Sequence, residues 1–423
     1  MMKSKFKVMI LLAMVVLSIG ILSACNQDSA TDATESVELR VFIGQPRFRE
    51  QYEAHFDLFV EQMREEGVDV TITLEMPSDN EASSILQTRI ASGDAPDVFS
   101  FHPGFEAPLY VAAGWLADLS DEPFVDLLFD DARSFMTYDN MIVGVPLESV
   151  RWGYLYNREI FNDLGLSMPQ TITEMRNVID VLHANDITPF VLSYQEGWIP
   201  QLLLSLTIGS LMTTTYPNFV ESMNNDDSSF AVMSQMFEIM DLIDANGTER
   251  PFEVGADQGA ANFANGVAAM YVQGPWMADS ILAVNPNIDF GVAPLPVSDD
   301  SAGTLINSSF SLALGVSSDS PNQAMARRLV NFILDEQHST QLFQSLGFNA
   351  LSTVHHFEPH PWSREADELV EQGRTYNDPG IPSAVRTESE RAFQSYFAGD
   401  WTREEVIDAL DRAWQQFNQI HGE

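Results

Sequence analysis

The chain has 423 residues, a formal net charge of -40 at pH 7, and 45% hydrophobic and 10% aromatic residues. This length exceeds the roughly 300 residues that one hydrophobic core serves, so two domains are expected. Nucleic acid and anionic membrane surfaces are excluded as partners, because binding them depends on basic patches that so acidic a chain lacks.

The N-terminus has the pattern of a secretory signal. Three lysines within the first seven residues precede an apolar run over residues 8–22. A run of about 15 residues is short for a membrane-spanning helix, which needs about 20. We therefore predict a signal peptide over residues 1–24.

Cys25 is the only cysteine, and it directly follows Leu22-Ser23-Ala24. A thiol without a partner cannot form an intramolecular disulfide. The run resembles the bacterial lipobox, in which the cysteine is acylated and becomes the first residue of the mature protein. An ordinary signal peptide with a chance cysteine is the alternative. The small, polar residues 25–36 predict a flexible tether, so the folded part is expected to begin near Val37.

All the lysines of the chain lie in the predicted signal. Removing them, with no acidic residue, changes the formal net charge from -40 to -43. Arginine keeps its charge at pH values where lysine, with a reference pKa of about 10.4, begins to lose it. We interpret the composition as an adaptation to high pH or high salt, with compositional drift as the alternative.

The predicted elements alternate between strands and helices, which is typical of α/β folds. The folded part opens as a strand, a helix, a strand, a helix and a strand over residues 37–43, 48–66, 68–75, 81–92 and 97–101. Further strands are predicted over residues 141–145, 151–157, 267–272 and 310–316, and further helices over 173–185, 275–284, 321–334 and 403–420.

Two of the predicted helices begin with the spacing of a capping box. These are Thr171-x-x-Glu174 and Thr402-x-x-Glu405. In such a box the threonine hydroxyl accepts from the backbone of the glutamate, whose carboxylate reaches back. The spacing therefore fixes where both helices start.

No catalytic motif stands out. A nucleophile elbow, a phosphate loop and a zinc-binding His-Glu-x-x-His helix are all missing from the sequence. His355, His356 and His360 lie among prolines, which favours a surface loop over a zinc site. We predict no catalytic residue, no metal site and no cofactor, although so many acids do not by themselves exclude a glycosidase.

Gly93-Asp94-Ala95-Pro96-Asp97-Val98 resembles the Gly-x-x-Pro-Asp-Val signature of extracellular solute-binding proteins of bacterial ABC importers, the group that includes maltose-binding protein. Other segments follow in that family's order over nearly the whole mature chain. They are Gly144-Val145-Pro146, Leu155-Tyr156-Asn157-Arg158-Glu159-Ile160-Phe161, Leu164-Gly165-Leu166, Phe263-Ala264-Asn265-Gly266-Val267-Ala268-Ala269-Met270, Gly274-Pro275-Trp276 and Pro294-Leu295-Pro296.

The resemblance implies an α/β, two-lobe, type II periplasmic-binding-protein-like fold with hinge crossings and a ligand cleft between the lobes. By the family's pattern, one lobe comprises residues 37–147 and 308–348, and the other 148–307 and 349–423. It also implies a monomer, lipid-anchored on the extracytoplasmic face of the cell membrane. Such a protein captures a carbohydrate, expected here to be an oligosaccharide, and delivers it to the permease subunits of an ABC transporter.

A sugar has weakly apolar C–H faces and a rim of hydroxyls, so its site needs aromatic plates and polar groups. The resemblance implies Trp276 and Trp198 as plates and Glu196 as a hydroxyl acceptor. Core packing is the alternative for Trp276, and a surface loop for the other two. The further candidate contacts are Phe101, His102, Gln45, Arg47, Trp152, Asn307 and Arg386, with core burial or solvent exposure as their alternative.

Two other functions stay open at this point. The same fold could bind an anion, for which Arg47, Arg151 and Arg386 are the plausible cations, or a polyamine, for which the many carboxylates would serve. An enzyme acting on extracellular glycans would require a pair of acids with perturbed pKa values in the cleft.

Overall fold

The computed structural model describes residues 36–421. The predicted signal peptide and Cys25 lie outside the described residues, as does the predicted tether up to its last residue, Ser36, which begins the first strand. Within residues 36–421, no helix combines the length and the apolar character needed to cross a membrane.

Strands and helices alternate along the described chain. The strands are β1 Ser36–Phe42, β2 Asp69–Glu75, β3 Val98–Phe101, β4 Thr137–Tyr138, β5 Met141–Ile142, β6 Val145–Trp152, β7 Tyr154–Asn157, β8 Thr188–Val191, β9 Ala268–Tyr271, β10 Phe290–Ala293, β11 Ile306–Val316 and β12 Thr375–Tyr376. The α-helices are Arg49–Glu65, Asp79–Ala91, Ala107–Ala112, Asp130–Phe135, Arg158–Asp163, Ile172–Ala184, Trp198–Thr214, Phe219–Asn224, Met236–Asp244, Ala256–Ala264, Ala278–Val284, Gln323–Phe332, Ser339–Leu346, Arg364–Glu371, Ser383–Phe397 and Arg403–His421.

The larger sheet has the strand order β12-β11-β3-β1-β2, and β6 pairs with β11. Strand β1 runs parallel to β2 and β3. All the residues of β3 are buried, as expected for a parallel strand covered on both faces. Because parallel strands end at the same edge, the residues that follow β1 and β3 lie together, and these include Gln45 and His102.

The smaller sheet has the order β10-β7-β9-β8. Strands β8 and β9 are parallel, so the segments that follow them also share one edge. Glu196 and Trp198 follow β8, and Trp276 follows β9 in a short 3-10 turn, Pro275–Met277.

Strands β6 and β11 connect the two sheets. They pair antiparallel over most of their length, from Asn307 opposite Trp152 to Leu314 opposite Val145. A single residue, Gly153, separates β6 from β7 of the smaller sheet. A Cβ there would overlap the carbonyl oxygen of Ala293, which explains why glycine occupies this close crossing.

The chain crosses between the sheets again after the helix Ser339–Leu346. The backbone N–H and the side-chain Nδ2 of Asn349 both donate to the carbonyl oxygen of Ser149, each at 3.0 Å. Beyond this point, the rings of His355 and His360 pack against aromatic neighbours: His355 lies 4.1 Å from Phe343, and His360 lies 4.6 Å from Trp362, between ring centroids. Among the described residues, no group of three or more His, Cys, Asp or Glu side chains is arranged to hold a metal ion.

The predicted opening of strand, helix, strand, helix and strand is confirmed, with ends that differ by at most two residues. Both predicted helix starts are confirmed as well. The hydroxyl of Thr402 accepts from the N–H of Glu405, and the carboxylate of Glu405 accepts from the N–H of Thr402. At the other start the hydroxyl of Thr171 accepts as expected, but the carboxylate of Glu174 accepts from Gln170 instead.

The prediction was wrong about the strands around residue 150. One strand, β6, covers residues 145–152, where the sequence predicted an interruption between two strands. The long helix Trp198–Thr214 was missed altogether, because it is buried on almost every side and has no polar face to create a helical period.

Candidate functional site

Two indole rings meet where the sheets join. Trp152, the last residue of β6, and Trp276, which follows β9, have ring centroids 5.3 Å apart and an interplanar angle of 60°. Trp152 is 4% exposed, whereas Trp276 is half-buried and packs against both hydrophobic clusters of the core. Part of the Trp276 ring is therefore exposed outside the core, while another part packs against the ring of Trp152.

Two neighbours in the sequence hold the Trp276 ring in place. Its Nε1 donates to Oε1 of Gln273 at 2.8 Å, and the Gln273 side chain is fully buried. The ring lies so close to Gly274 that a Cβ at that position would overlap three of its carbon atoms. The hydrogen bond to Gln273 and the lack of a side chain at Gly274 thus set the orientation of the indole.

A polar cluster lies beside this aromatic pair. Asn307 of β11 stands directly opposite Trp152, so the two side chains lie on the same face of the sheet. The Nδ2 of Asn307 donates to Oδ1 of Asp378 at 2.8 Å, and its Oδ1 accepts from the hydroxyl of Ser309 at 2.6 Å. Asp378 comes from the loop after β12, whose Tyr376 pairs with Asn307 on the other side.

His102 and Arg386 reach the same cluster. The Nε2 of His102 lies 3.6 Å from Oδ2 of Asp378, which is longer than a hydrogen bond. The His102 ring packs on Phe105 at 4.3 Å between centroids. The guanidinium of Arg386 lies 4.9 Å from the centroid of the same Phe105 ring, within the range of a cation–π contact.

The charges in this cluster are shifted by burial. Burial lowers the pKa of His102 well below its ordinary value, and the positive charge of Arg386 lowers it further, so the imidazole is neutral at pH 7. Burial raises the pKa of Asp378, while the hydrogen bond from Asn307 and the charge of Arg386 lower it in part. A neutral histidine thus faces a carboxyl whose hydrogen bonds come from neutral donors.

Glu196 and Trp198 lie near the opposite end of the helix Ser383–Phe397. Glu196 accepts through Oε2 from the backbone N–H of Ala256 at 3.0 Å, and so caps the helix Ala256–Ala264. Gly197, between them, contacts Glu390 and Gln394 of the helix that carries Arg386. Trp198 is the first residue of a helix and half-buried against the core, not a loop residue.

For the other three candidates, the ring and cation–π contacts described for Phe101 and Arg47 do not involve the tryptophan pair. Phe101 is 1% exposed and packs on Phe99 and Tyr110, which makes it a core residue in this structure. The side chain of Gln45 is buried, and its Oε1 has no hydrogen-bond partner. Arg47 is exposed, with its guanidinium 4.9 Å from the centroid of the Phe48 ring.

The structure thus brings together Trp152, Trp276, Asn307, His102 and Arg386. Sequence reasoning missed three side chains that complete the group, Gln273, Asp378 and Phe105. Asp378 lies in Tyr376-Asn377-Asp378-Pro379-Gly380, which reads as an ordinary turn. Only its contact with Asn307, 71 residues earlier in the chain, distinguishes it from other turn residues.

Comparison with known families and sequences gives consistent matches. The family model described as bacterial extracellular solute-binding protein matches residues 47–338. A multiple sugar-binding protein of Streptococcus mutans is 25% identical over 331 residues, which cover 76% of this chain and 77% of that protein. The melibiose/raffinose/stachyose-binding protein MelE of Bacillus subtilis is 21% identical over 287 residues, 66% of each chain.

Solved structures share the fold. A sugar transporter from Bacillus licheniformis in complex with stachyose superposes with a TM-score of 0.79 at 17% identity, covering 91% of this chain and 100% of that one. The solute-binding protein RafE in complex with raffinose gives 0.75 at 18% identity, covering 90% and 100%. These likenesses confirm the predicted two-lobe, type II fold.

Proposed function

Because the chain belongs to the family of bacterial extracellular solute-binding proteins, we propose that it captures an oligosaccharide and delivers it to an ABC transporter permease. The relatives named for sugar binding support the ligand class: a multiple sugar-binding protein, a melibiose, raffinose and stachyose-binding protein, and structures with stachyose and raffinose bound.

The observation that carries this proposal is the half-buried Trp276 against Trp152, next to the Asn307–Asp378 pair. An indole offers a flat apolar surface to the C–H face of a pyranose. Amide and carboxyl groups beside it can donate to and accept from the hydroxyl rim. A neutral ring with many hydroxyls is the ligand that such a combination fits.

We take residues 37–147 with 308–348 as one lobe, and 148–307 with 349–423 as the other. The antiparallel pairing of β6 with β11 and the hydrogen bonds from Asn349 to Ser149 support these boundaries, because they hold the three connecting segments side by side. In this account a sugar shifts the lobes towards closure, by as much as it binds the closed form more tightly than the open one.

We further propose acylation at Cys25, with residues 25–36 as the tether and the folded part on the extracytoplasmic face. The protein would act as a monomer, held next to the permease by its lipid chain. The permease's own ATPase would supply the energy for transport. Mass spectrometry of the membrane-extracted protein tests the anchor: a free thiol at Cys25 would rule it out.

Thermal unfolding in the presence of a ligand panel tests the ligand class. The panel should hold neutral mono- and oligosaccharides, polyamines, and sulfate or phosphate. A specific ligand at about 100 times its dissociation constant adds about 2.7 kcal/mol to the free energy of unfolding. We expect the largest stabilisation from a neutral oligosaccharide. Stabilisation by amines or anions alone would refute the proposal.

A further inference from the structure

The buried carboxyl of Asp378 lies where β6, β11 and β12 come side by side. Asp378 follows β12, and its side chain is 7% exposed. Its Oδ1 accepts from Asn307, the residue directly opposite Trp152. The carboxyl is therefore one side chain away from the tryptophan pair that we propose as the sugar plate.

The segment that faces Asp378 brings no positive charge to it. His102 is the nearest ionisable group on the facing segment, and burial and Arg386 together keep it neutral. Its Nδ1 is buried without a hydrogen-bond partner, so His102 does not satisfy its own polar atoms within the protein. Asn307, which donates to Asp378, is neutral, and so is Ser309, whose hydroxyl donates to Asn307.

Among the residues that the structure describes, Arg386 is the cation whose charge acts on Asp378, and it acts on Glu390 as well. Glu390 lies one turn further along the same helix, Ser383–Phe397. One guanidinium is thus shared between two carboxyls. Because His102 is neutral, the cluster formed by His102, Asp378, Arg386 and Glu390 holds two carboxyls and one cation.

We propose that Asp378 is a specificity-determining residue, which makes the site select neutral sugars over sugars that carry a carboxylate. The proposal rests on the sugar-binding function proposed above. In a partly buried site, like charges repel strongly because the effective dielectric constant is low. A uronic acid in the same position would place its carboxylate against Asp378, and discrimination of this kind works by repulsion of the wrong ligand.

The experiment compares one sugar with its own oxidised form. The full chain is purified in a detergent without a sugar head group, and calorimetric titration with raffinose, stachyose, malto-, cello- and chito-oligosaccharides identifies the neutral sugars that bind. Each is then oxidised at its primary hydroxyls to the uronic acid. We expect the wild type to bind the neutral form at least about tenfold more tightly than the oxidised form.

The variant Asp378→Asn keeps the shape and removes the charge. We expect its preference for the neutral form to fall by about tenfold or more relative to the wild type. Asp97→Asn is the matched control, because Asp97 is also buried and hydrogen-bonded but precedes β3, at the end of that strand away from His102. Its preference should equal that of the wild type.

The preference of the wild type is measured without any variant, so the proposal can still be tested if Asp378→Asn fails to fold. A wild type that binds both forms equally overturns the role of Asp378, as does an unchanged preference in a folded Asp378→Asn. In both results the sugar-binding function stands. A wild type that binds no sugar of the panel overturns that function, and this inference with it.

Discussion

The ring of Trp276 rests edge to face against the ring of Trp152, with centroids 5.3 Å apart. One tryptophan ends a strand of the larger sheet and the other follows a strand of the smaller sheet, so their contact joins the two halves of the molecule. The packing leaves Trp276 half-buried, and this remaining surface is what we propose a sugar covers.

Replacing Trp276 by alanine should weaken oligosaccharide binding by about tenfold or more, because truncating a large aromatic anchor in a binding site costs about 2 kcal/mol or more. Trp115→Ala is the matched control, since Trp115 packs on Tyr110 within the larger-sheet half. Calorimetry measures the affinities, and circular dichroism checks the fold. If both variants bind like the wild type, Trp276 is not part of the site.

Gly274→Ala should displace the Trp276 ring without removing it. The backbone of Gly274 is extended, with φ of -112°, so alanine strains only the contact with the indole. We expect weaker sugar binding in this variant. In a Trp276→Ala background the same change should have little further effect, because the clash is gone. Additive losses in the double variant would show that Gly274 acts independently of the ring.

Thr402→Ala should lower the free energy of unfolding by about 1 kcal/mol, since it removes the cap of the helix Arg403–His421. Urea unfolding measures the change, and sugar affinity should stay constant because the capping hydrogen bonds join only Thr402 and Glu405, neither of which belongs to the proposed site. Glu404→Gln, in the same turn but outside the capping box, serves as the control. Equal stability of both variants would contradict the role of Thr402.

The buried His355 should make stability depend on pH. Burial lowers its pKa from 6.5 to about 4, and its Nδ1 accepts from the N–H of Leu351. Between these two values the unfolded chain binds the proton more tightly than the folded protein does. The contribution of His355 is therefore present above pH 6.5 and is lost as the pH falls towards about 4, with a slope of up to about 1.4 kcal/mol per pH unit.

The variant His355→Asn isolates this effect, because asparagine offers an acceptor to Leu351 but does not titrate. The stability difference between wild type and variant should shrink between pH 7 and pH 5 in urea unfolding. His183→Asn, at an exposed histidine, is the control for the substitution itself. A difference for His355→Asn that stays constant between pH 7 and pH 5 would mean that its burial carries no proton linkage.

The excess of acidic residues should make the protein more stable in salt. At about 1 M salt the Debye length falls to about 3 Å, which screens repulsion between surface carboxylates. We expect the midpoint of thermal unfolding to rise with added NaCl, and solubility to be retained at high pH. A solubility optimum at low salt and neutral pH would favour compositional drift over adaptation.

Local patterns were predictable from the sequence because they depend on neighbours in the chain. The hydroxyls of Thr171 and Thr402 cap their helices where the spacing of threonine and glutamate indicated. The ordered motifs identified the family, which the match over residues 47–338 confirms. The two-lobe fold was predicted from the resemblance to this family, because hydrophobic periodicity alone does not indicate how the lobes are connected.

The composition of the site was harder to predict, because adjacent residues can point to different places. Phe101 and His102 are neighbours, yet one ring is in the core and the other faces Asp378. The place of Asp378 in the site depends on its contact with Asn307, 71 residues earlier in the chain, and no local sequence pattern indicates that contact. The strand β6 was misplaced for a similar reason: Pro146 and Glu148 are poor strand formers, and pairing with β11 imposes the extended form.

Calorimetric titration of the wild type with neutral oligosaccharides tests the central claim most directly. We predict saturable binding of one sugar per chain for at least one of raffinose, stachyose and the malto-, cello- and chito-oligosaccharides. Absence of binding throughout that series, with saturable binding of a polyamine or an anion instead, would contradict the claim.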